Sequence, residues 1–547
     1  MTRPVKICLF IFLITLTILG GFTVYKIISA TVDTTDRAKE GDTFLFGNQN
    51  VPDAGTIVLT KTLNKYNQNA QYAKALLSYQ KAVDKDPKNA SLYQKIAFIY
   101  EAKNRYRDAL DILTKGITAV PTSADINYQI GEDSSNLIAT DKTYLQKAID
   151  AYTKAASSDK YKIFATYKEA RLYSYKTDND SLNKAKELFS SLGDFQPAKY
   201  NLVLYEIDDP DKALSSVDAA SKVSPTENQD ILNSDFATWA DFGKTLTEQI
   251  NLLKQDVTNK KSVATIFNTK GYIAYKVNRC EFALTFLKNA IIESEKDVFY
   301  PQARLVLGEC LKRLGLYEEA KSYVEEVYNK NKDSVEARMI LRQVYRGLGD
   351  TAGMKKMYDE LITINAQNIQ IRLDYANDLE VIASSKKDSA LGDLETAAAQ
   401  YEWLGMNLTD QSTIGGVVNK DYALNQKYLL KAVRIYTYKM NNYAKARDVI
   451  NTALKITDKT FLDKNIGDEL LSWIAYMQTP SDKTLENDVY EKAKNMNGID
   501  AQYHVAYILN VRGDKNTAKE KALTAFDLDE DGYIGALAGD LISAIEK

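Results

Sequence analysis

The fold of this chain is decided by a stretch that recurs along it, residues 90–123, which read ASLYQKIAFIYEAKNRYRDALDILTKGITAVPTS. Apolar residues at helical spacing form one stripe in its first half and another in its second half. The two stripes are Tyr93, Ile96, Ala97 and Tyr100, and then Ala109, Leu113 and Gly116. Asn104 separates the two halves, and Pro121 ends the second because a proline inside a helix removes a backbone donor. The stretch therefore predicts a helical hairpin that needs a copy of itself on either side.

The same phase of small and large apolar residues returns along the chain. The copies include Ala75, Tyr79, Ala82 and Pro87; Ala148, Tyr152 and Ala155; Ala213, Val217, Ala220 and Pro225; Gly271, Ala283, Leu287 and Ala290; Ala320 and Val324; Tyr358 and Leu361; Ala446, Ile450 and Ala453; and Ala518, Ala522 and Ala525. This 34-residue unit resembles the tetratricopeptide repeat, TPR. The resemblance implies an all-α solenoid, a superhelix of stacked antiparallel helix hairpins, of which we expect about a dozen over residues 56–531.

Composition agrees with an all-helical chain. Nine prolines and 25 glycines in 547 residues are few, and those that can be placed fall mostly at hairpin boundaries. We find no run of alternating Val, Ile and Thr bounded by turn residues, so no strand is predicted. A chain of this length normally divides into several globular domains, but a solenoid can grow because each unit packs only on its neighbours.

The first residues predict a membrane anchor. Residues 7–24, ICLFIFLITLTILGGFTV, are apolar and uncharged, which is just long enough for a transmembrane helix, placed at 7–28. The alternative is a cleaved signal peptide ending at Ala30, but the apolar run is longer than is usual for one. A short basic tail, 1–6, favours a cytoplasmic N-terminus, which puts the solenoid in the bacterial periplasm or outside the cell. The opposite orientation stays open, because the basic residues flanking the span are nearly balanced.

Phase breaks along the repeats predict the domain boundaries. A polar stalk is expected at 29–55, an N-terminal TPR array at 56–227 and an irregular helical joint at 228–263. A middle array follows at 264–368, then an irregular repeat with a loop insertion at 369–426, and a C-terminal array with a capping helix at 427–547. The insertion, TDQSTIGGVVNKD at 409–421, is polar and contains a glycine pair, so it is expected to be exposed.

Charge and residue types argue against nucleic-acid binding and catalysis. The part after the predicted anchor has 67 basic and 73 acidic side chains, whereas a phosphate-tracking surface needs a basic excess. His504 is the single histidine, so a histidine triad or a multi-histidine metal site is not expected. No glycine-rich phosphate loop is present. We predict a non-catalytic protein without a required cofactor.

One acidic segment leaves two interpretations open. Asp527, Asp529 and Asp531 precede Gly532 in FDLDEDGYI, which resembles the front half of an EF-hand or dockerin calcium loop. The twelfth position holds Ala538 where such loops place a bidentate acid. The simpler interpretation is the ordinary turn that ends a repeat. We keep calcium binding by the three aspartates as a hypothesis.

A second pair of residues is a candidate disulfide. Cys280 is expected to start the second helix of one hairpin, and Cys310 to lie late in the first helix of the next. These helices run antiparallel, so both cysteines fall near the same level. Outside the cytoplasm such a pair can oxidise, and two independent buried thiols are the alternative.

The resemblance to TPR proteins implies function by surface, because such arrays bind peptides or proteins in a groove lined by the first helix of each hairpin. Only Asn64 agrees with the residues that grip a terminal carboxylate in the best-known subclass, so that clamp is not predicted. The groove candidates are Tyr93, Tyr100, Tyr128, Tyr272 and Tyr345, since tyrosine often anchors a partner, although such rings also pack between helices. Three functions stay open: an outward-facing anchored scaffold in envelope, secretion or pilus assembly; a cytoplasm-facing membrane adaptor; and an accessory subunit of a glycosyltransferase or polymer-assembly enzyme.

Overall fold

The structure is a computed structural model that describes residues 37–39, 42, 72–176, 178–227, 229–232, 236, 238–294, 300–385, 391–456, 461–529 and 532–546. The predicted tail, the anchor at 7–28 and most of the stalk lie outside these residues. The chain divides into two compact units. The N-terminal unit ends at Leu316, and the C-terminal unit begins at Tyr317. We describe each unit by itself. The unit boundary lies beyond residues 228–263, the region interpreted above as a joint.

The N-terminal unit is built of helices. Their bounds are α1 Tyr72–Lys85, α2 Ala90–Ala102, α3 Tyr106–Ala119, α4 Ala124–Leu137, α5 Thr143–Ala155, α6 Lys162–Ser174, α7 Asn179–Ser191, α8 Gln196–Val203, α9 Pro210–Ser221, α10 Trp239–Thr258, α11 Val263–Lys276, α12 Cys280–Ser294 and α13 Pro301–Arg313. A single 3₁₀ turn, Gln229–Leu232, precedes α10. The first helices of the hairpins are α2, α4, α6, α8, α11 and α13.

The C-terminal unit continues the pattern. It contains α14 Tyr317–Lys330, α15 Val335–Gly347, α16 Thr351–Ile364, α17 Ile369–Ser385, α18 Leu391–Asn407, strands β1 Thr413–Ile414 and β2 Val417–Val418, α19 Ala423–Arg434, α20 Tyr443–Leu454, α21 Lys464–Gln478, α22 Lys483–Ala493, α23 Ile499–Val511, α24 Lys515–Asp529 and α25 Tyr533–Glu546. A π-helical turn, Ile435–Lys439, extends α19. The first helices here are α15, α17, α19, α21 and α23.

Local sequence explains where many helices begin. Asp209 accepts hydrogen bonds from the backbone N–H groups of Asp211 and Lys212, and Pro210 occupies the first turn of α9. Ser123 caps α4 in the same way, and Asp178 caps α7. Such caps satisfy backbone donors that have no partner within the helix. A few polar capping residues therefore fix where these helices begin.

Small residues set how closely the helices of a hairpin approach. A Cβ at Gly271 in α11 would stand 2.5 Å from Cγ of Leu287 in α12, which is closer than real side chains pack. Ala97 and Ala109 are likewise fully buried between α2 and α3. Successive first helices also touch, as α2 does with α4 and α11 with α13. First helices therefore share one face of each unit, as the repeat pattern predicts.

Helix α10 packs by an aromatic core. Trp239 and Phe242 of α10 contact each other at 5.0 Å between ring centroids, and Tyr200 of α8 packs on both rings. The guanidinium of Arg279, which precedes α12, lies 5.0 Å from the Phe242 ring and donates to Oδ1 of Asn201 at 2.7 Å. The long helix α10 thus packs between α9 and α11.

The insertion corrects one expectation. No strand was predicted, but Thr413 and Ile414 pair antiparallel with Val418 and Val417. Gly415 and Gly416 between them have φ of 57° and 80°, the left-handed values that a tight two-residue hairpin requires. The hairpin is too short for alternation to be recognisable, although the glycine pair was a usable signal. Val417 and Val418 are exposed, in agreement with the exposed insertion expected.

Within the described ranges, no helix is both long enough and apolar enough to cross a membrane. The predicted anchor lies outside those ranges. From the predicted stalk, Asp42 accepts hydrogen bonds from the Tyr79 hydroxyl at 2.7 Å and from Nζ of Lys95 at 2.5 Å. This part of the predicted stalk therefore contacts the first hairpins.

Candidate interaction surface

The five predicted groove tyrosines fall into two groups. Tyr93, Tyr128 and Tyr345 are buried and act in packing, which corrects their assignment as groove anchors. The Tyr93 hydroxyl donates to the carbonyl of Pro87 at 2.9 Å, and that of Tyr345 donates to Oε1 of Glu325 at 2.6 Å. Burial and the Glu325 carboxylate raise the pKa of Tyr345 above its ordinary value. These rings have too little free surface to anchor a partner.

Tyr128 illustrates the packing role most clearly. Its ring stacks on that of Tyr161 at 4.7 Å between centroids and meets Tyr152 edge-on at 5.6 Å. Burial raises the pKa of Tyr128 well above its ordinary value, because no water reaches the phenolate. Three aromatic rings from α4, α5 and the turn before α6 thus form one seam between hairpins.

Tyr100 and Tyr272 are half-buried and present part of each ring to solvent. The guanidinium of Arg105 lies 5.0 Å from the Tyr100 ring, and Nζ of Lys276 lies 5.0 Å from the Tyr272 ring. Both tyrosines stand on first helices, α2 and α11. They are the members of the predicted set that remain available to a partner.

Around Tyr272 the structure gathers a surface that we call the tyrosine–cation patch, made of Tyr272, Tyr275, Lys276 and Arg313. The two tyrosine rings lie 5.8 Å apart between centroids, and the guanidinium of Arg313 lies 5.0 Å from the Tyr275 ring. Both rings are half-buried, and both cations are exposed. Tyrosine and arginine are the residues that most often carry binding energy at protein interfaces. The patch therefore has the residue types of a protein-binding surface.

Of the residues in this patch, only Tyr272 was predicted from the sequence. Tyr275 and Lys276 follow Tyr272 at three and four residues, which places all three on one helical face, and this spacing was a usable signal. Arg313 is the last residue of α13, the first helix of the following hairpin. Its position depends on how two hairpins stack, so spacing within one helix carries no signal for it.

The cysteine pair is brought together. Cys280 begins α12 and Cys310 lies in α13, with Cα atoms 4.9 Å apart. Both side chains are buried. This Cα separation lies within the range that disulfides adopt. A disulfide between Cys280 and Cys310 stays a prediction for an oxidising compartment.

The acidic segment has another role in the structure. Helix α24 continues through Asp527 to Asp529, and Oδ2 of Asp529 accepts hydrogen bonds from the backbone N–H groups of Ile534 and Gly535 at 3.0 and 3.3 Å. Asp529 therefore caps α25. Asp531 lies outside the described residues. Among the residues that are described, no three His, Cys, Asp or Glu side chains form a group that could hold a metal.

Calcium binding by these aspartates remains a hypothesis that competes with the capping role. Burial raises the pKa of Asp529 above its ordinary value, an effect that the guanidinium of Arg434 opposes. Calorimetry with calcium on the protein tests the site, and the absence of heat at millimolar calcium would reject it.

A polar cluster in the C-terminal unit was not predicted. The single histidine, His504 of α23, is fully buried and stacks on Trp473 at 3.9 Å between centroids. Its Nδ1 contacts Oε1 of Glu469, and its Nε2 lies 2.6 Å from the Tyr438 hydroxyl. Burial raises the pKa of Tyr438 well above its ordinary value.

An ion pair lies beside this cluster. Arg434 donates to the Asp500 carboxylate through Nη2 at 2.6 Å and through Nε at 3.1 and 3.2 Å. Arg434 and Tyr438 come from the end of α19 and its π-helical turn, whereas Asp500 and His504 come from α23. Each pair joins residues 66 positions apart. The C-terminal unit thus fills part of its first-helix face with its own polar contacts.

Comparison with known families identifies the repeats. Two family models, both described as tetratricopeptide repeat, match residues 78–111 and 301–331. The chain therefore contains TPR repeats at these two places, and its described residues form helical repeats with one short β-hairpin. Repeats of this type are generally non-catalytic scaffolds for protein interaction. No curated protein matches the sequence.

Several solved structures are similar to this chain at low identity. YrrB, described as a TPR protein with an unusual peptide-binding site, is 15% identical over 54% of this chain and 95% of its own, with a TM-score of 0.19. A tetratricopeptide repeat protein from Parabacteroides merdae is 13% identical over 64% and 98%, with a TM-score of 0.24. PilW, described as a widely conserved type IV pilus biogenesis factor, is 14% identical over 53% and 100%, with a TM-score of 0.21. Values this low support no inference about what this chain binds.

Proposed function

We propose that this protein is a non-catalytic TPR scaffold that recruits partner proteins through the first-helix face of its N-terminal unit. The observation that carries the proposal is the tyrosine–cation patch, because Tyr272, Tyr275, Lys276 and Arg313 come from two successive first helices and keep solvent-accessible surface. Large aromatic rings supply contact area at low cost in side-chain entropy, and the cations add orientation. Binding without turnover needs no reactive centre.

We further propose that residues 7–28 anchor the scaffold in a bacterial membrane, with the N-terminus in the cytoplasm and the solenoid in the periplasm or outside the cell. The uncharged run at 7–24 supports the anchor. The short Cα distance between Cys280 and Cys310 supports the outward orientation, because disulfides persist in oxidising compartments and are rare in the cytoplasm. Assembly of envelope, secretion or pilus components is the setting we propose.

The orientation is tested by two reporters fused after Lys547. Alkaline phosphatase is active only after export, and green fluorescent protein folds to its fluorescent form in the cytoplasm. We expect phosphatase activity without fluorescence. Fluorescence without phosphatase activity would instead establish a cytoplasm-facing adaptor.

The scaffold function is tested by photo-crosslinking in living cells. A photoreactive amino acid replaces Tyr272 in one strain, and Lys115, an exposed residue of the second helix α3, in a control strain. We expect the photoreactive group at residue 272 to give discrete crosslinked bands on a gel. The group at residue 115 should give none of these bands. Absence of products from first-helix positions throughout the N-terminal unit would contradict the proposal.

A further inference from the structure

Two acidic side chains of the N-terminal unit meet between the first helices α2 and α4. Glu101 in the last turn of α2 is half-buried, and Asp133 of α4 is 1% exposed. Nε2 of Gln129 donates to Oε1 of Glu101 at 2.6 Å, and Asp133 shares a hydrogen bond with the same glutamate. Gln129 and Asp133 are four residues apart on α4, so one face of this helix brings both side chains to Glu101.

The hydrogen bond between these two carboxyl groups needs a proton. An ionised carboxylate is only an acceptor, so two ionised groups would place acceptor against acceptor. Within the described residues, no N–H or O–H group donates to Oδ2 of Asp133, although buried polar atoms normally have a partner. One proton held between Glu101 and Asp133 supplies the missing donor.

The charged groups around Asp133 also favour its protonated form. Burial raises the pKa of Asp133 well above its ordinary value, and the carboxylates of Glu101 on α2 and Glu132 on α4 raise it further. Lys147 on α5 opposes them, but its side chain is exposed and its effect is smaller than theirs. On α3, the pKa of the Tyr106 hydroxyl is raised by burial first and then by Asp133 and Glu101. A negative charge at Asp133 would therefore have little compensation.

We propose that Glu101 and Asp133 share one proton in the folded protein at neutral pH, and that this proton holds α2 against α4. Loss of the proton leaves two like charges in a poorly solvated place, which is unfavourable. The two residues therefore form a carboxyl latch that closes when protonated and opens in alkaline solution. The latch needs no partner protein, so it goes beyond the scaffold function and is tested separately from it.

The direction of the pH dependence follows from the folded and unfolded states. The folded state binds the Asp133 proton more tightly than the unfolded state, whose aspartate pKa is about 4. The stabilisation is therefore fully present below about pH 4 and is lost as pH rises through the folded pKa of Asp133. Local opening of α2 and α4 should become more frequent with rising pH, by at most about tenfold per pH unit, the limit for one proton.

Hydrogen exchange read by mass spectrometry on the full chain in mild detergent tests the latch. After correction for the intrinsic pH dependence of exchange, opening of α2 and α4 in the parent should increase from about pH 6 to about pH 9. Asp133→Asn keeps a donor for Glu101 without a charge, so its opening should change less over this range and be rarer than in the parent at the alkaline end. Asp111→Asn, an exposed aspartate of α3, is the matched control and should follow the parent.

A second variant keeps the test independent of one substitution. Glu101→Gln removes the like-charged neighbour of Asp133, so the increase in opening between the two pH limits should be smaller than in the parent. Parallel pH profiles for the parent and both variants would overturn the proposal. More frequent opening of Asp133→Asn than of the parent at alkaline pH would overturn it as well, because this result requires a stabilising negative charge at Asp133.

Infrared spectroscopy detects the shared proton directly. At neutral pH, the spectrum of the parent minus that of Asp133→Asn should contain the carbonyl band of a protonated carboxyl group, and this band should shift in heavy water. The same subtraction with Asp111→Asn should show the bands of an ionised carboxylate. Ionised carboxylate bands from Asp133 at neutral pH would refute the latch, including the case in which a metal cation takes the place of the proton.

Discussion

Asp500 of α23 is a buried carboxylate in the C-terminal unit. It is 6% exposed and lies against the Arg434 guanidinium, with the His504 ring nearby on the same helix. Burial alone would raise the pKa of Asp500, but the attraction and hydrogen bonds of Arg434 outweigh it and lower the pKa. A buried ion pair of this kind adds little net stability, yet breaking it is expensive because one charge is left without a partner.

Asp500→Asn should therefore destabilise the C-terminal unit by about 3–5 kcal/mol, since Arg434 would stay buried without a counter-charge. Chemical denaturation followed by tryptophan fluorescence measures this, because Trp473 stacks on the neighbouring His504. Asp218→Asn is the matched control, since its pair with Lys222 is exposed, and it should change stability by less than about 1 kcal/mol. A loss of similar size in both variants would contradict a special role for the buried pair.

The same pair predicts a dependence on pH. The folded state holds the Asp500 proton less tightly than the unfolded state, because its pKa is lowered. The stabilisation is therefore fully present above the unfolded value of about 4 and is lost as pH falls through the folded pKa. Between about pH 5 and pH 2 the parent should lose more stability than Asp500→Asn. Parallel stability curves for the two proteins over this range would show that Asp500 does not titrate as described.

At the scale of the elements, close helix crossings decide whether a hairpin forms. Gly271→Ala places a methyl group against Leu287, and overpacking of this kind costs about 1–3 kcal/mol. Gly392→Ala is the matched control, because a Cβ at Gly392 in α18 would have no neighbour within 4 Å, and alanine is the better helix former. Native-state hydrogen exchange should show faster opening of α11 and α12 in the first variant and unchanged or slower opening of α18 in the second. Slower opening of α11 would contradict the packing argument.

The link between α12 and α13 predicts a dependence on redox conditions. If Cys280 and Cys310 are bonded, the bond closes a loop with a sequence separation of 30 and should contribute about 2–4 kcal/mol. Cys280→Ser should lower stability by this amount in oxidising buffer, and reductant should lower the parent to the same level. Cys8→Ser is the control and should change nothing. A parent insensitive to reductant, with both thiols open to alkylation after unfolding, would show two free cysteines.

Hairpins were predictable from the sequence because their signals are local. The 3.6-residue periodicity, the small residues at Ala97 and Gly271 and the ending proline Pro121 all act within one repeat. The β-hairpin at Thr413–Val418 was missed because two-residue strands have no measurable alternation. Arg313 in the patch and the contact of Tyr438 with His504 depend on how separate hairpins stack. A pattern read along one helix contains no information on such distances.

Across the molecule, the two units use the face of their first helices differently. In the N-terminal unit, Tyr272, Lys276 and Arg313 keep surface that a partner can contact. In the C-terminal unit, Arg434 and Tyr438 are satisfied by Asp500 and His504, two hairpins away. Groups that are hydrogen-bonded within the chain would lose those bonds on binding a partner. The exposed groups of the N-terminal unit and the internally hydrogen-bonded groups of the C-terminal unit therefore favour recruitment by the N-terminal unit.

A stack of repeats must also end without leaving an apolar face in water. We propose that helix α25 does this, because Ile534, Ala538 and Leu541 pack in the cluster with Trp473 and Tyr503. Ala538→Glu buries a charge in that contact and should detach α25, so we expect dye binding to exposed apolar surface and a shift to larger species in size-exclusion chromatography. Ala536→Glu makes the same change on the exposed side of the same helix and should leave both readouts as in the parent. If the two variants behave alike, α25 is not the element that closes the stack.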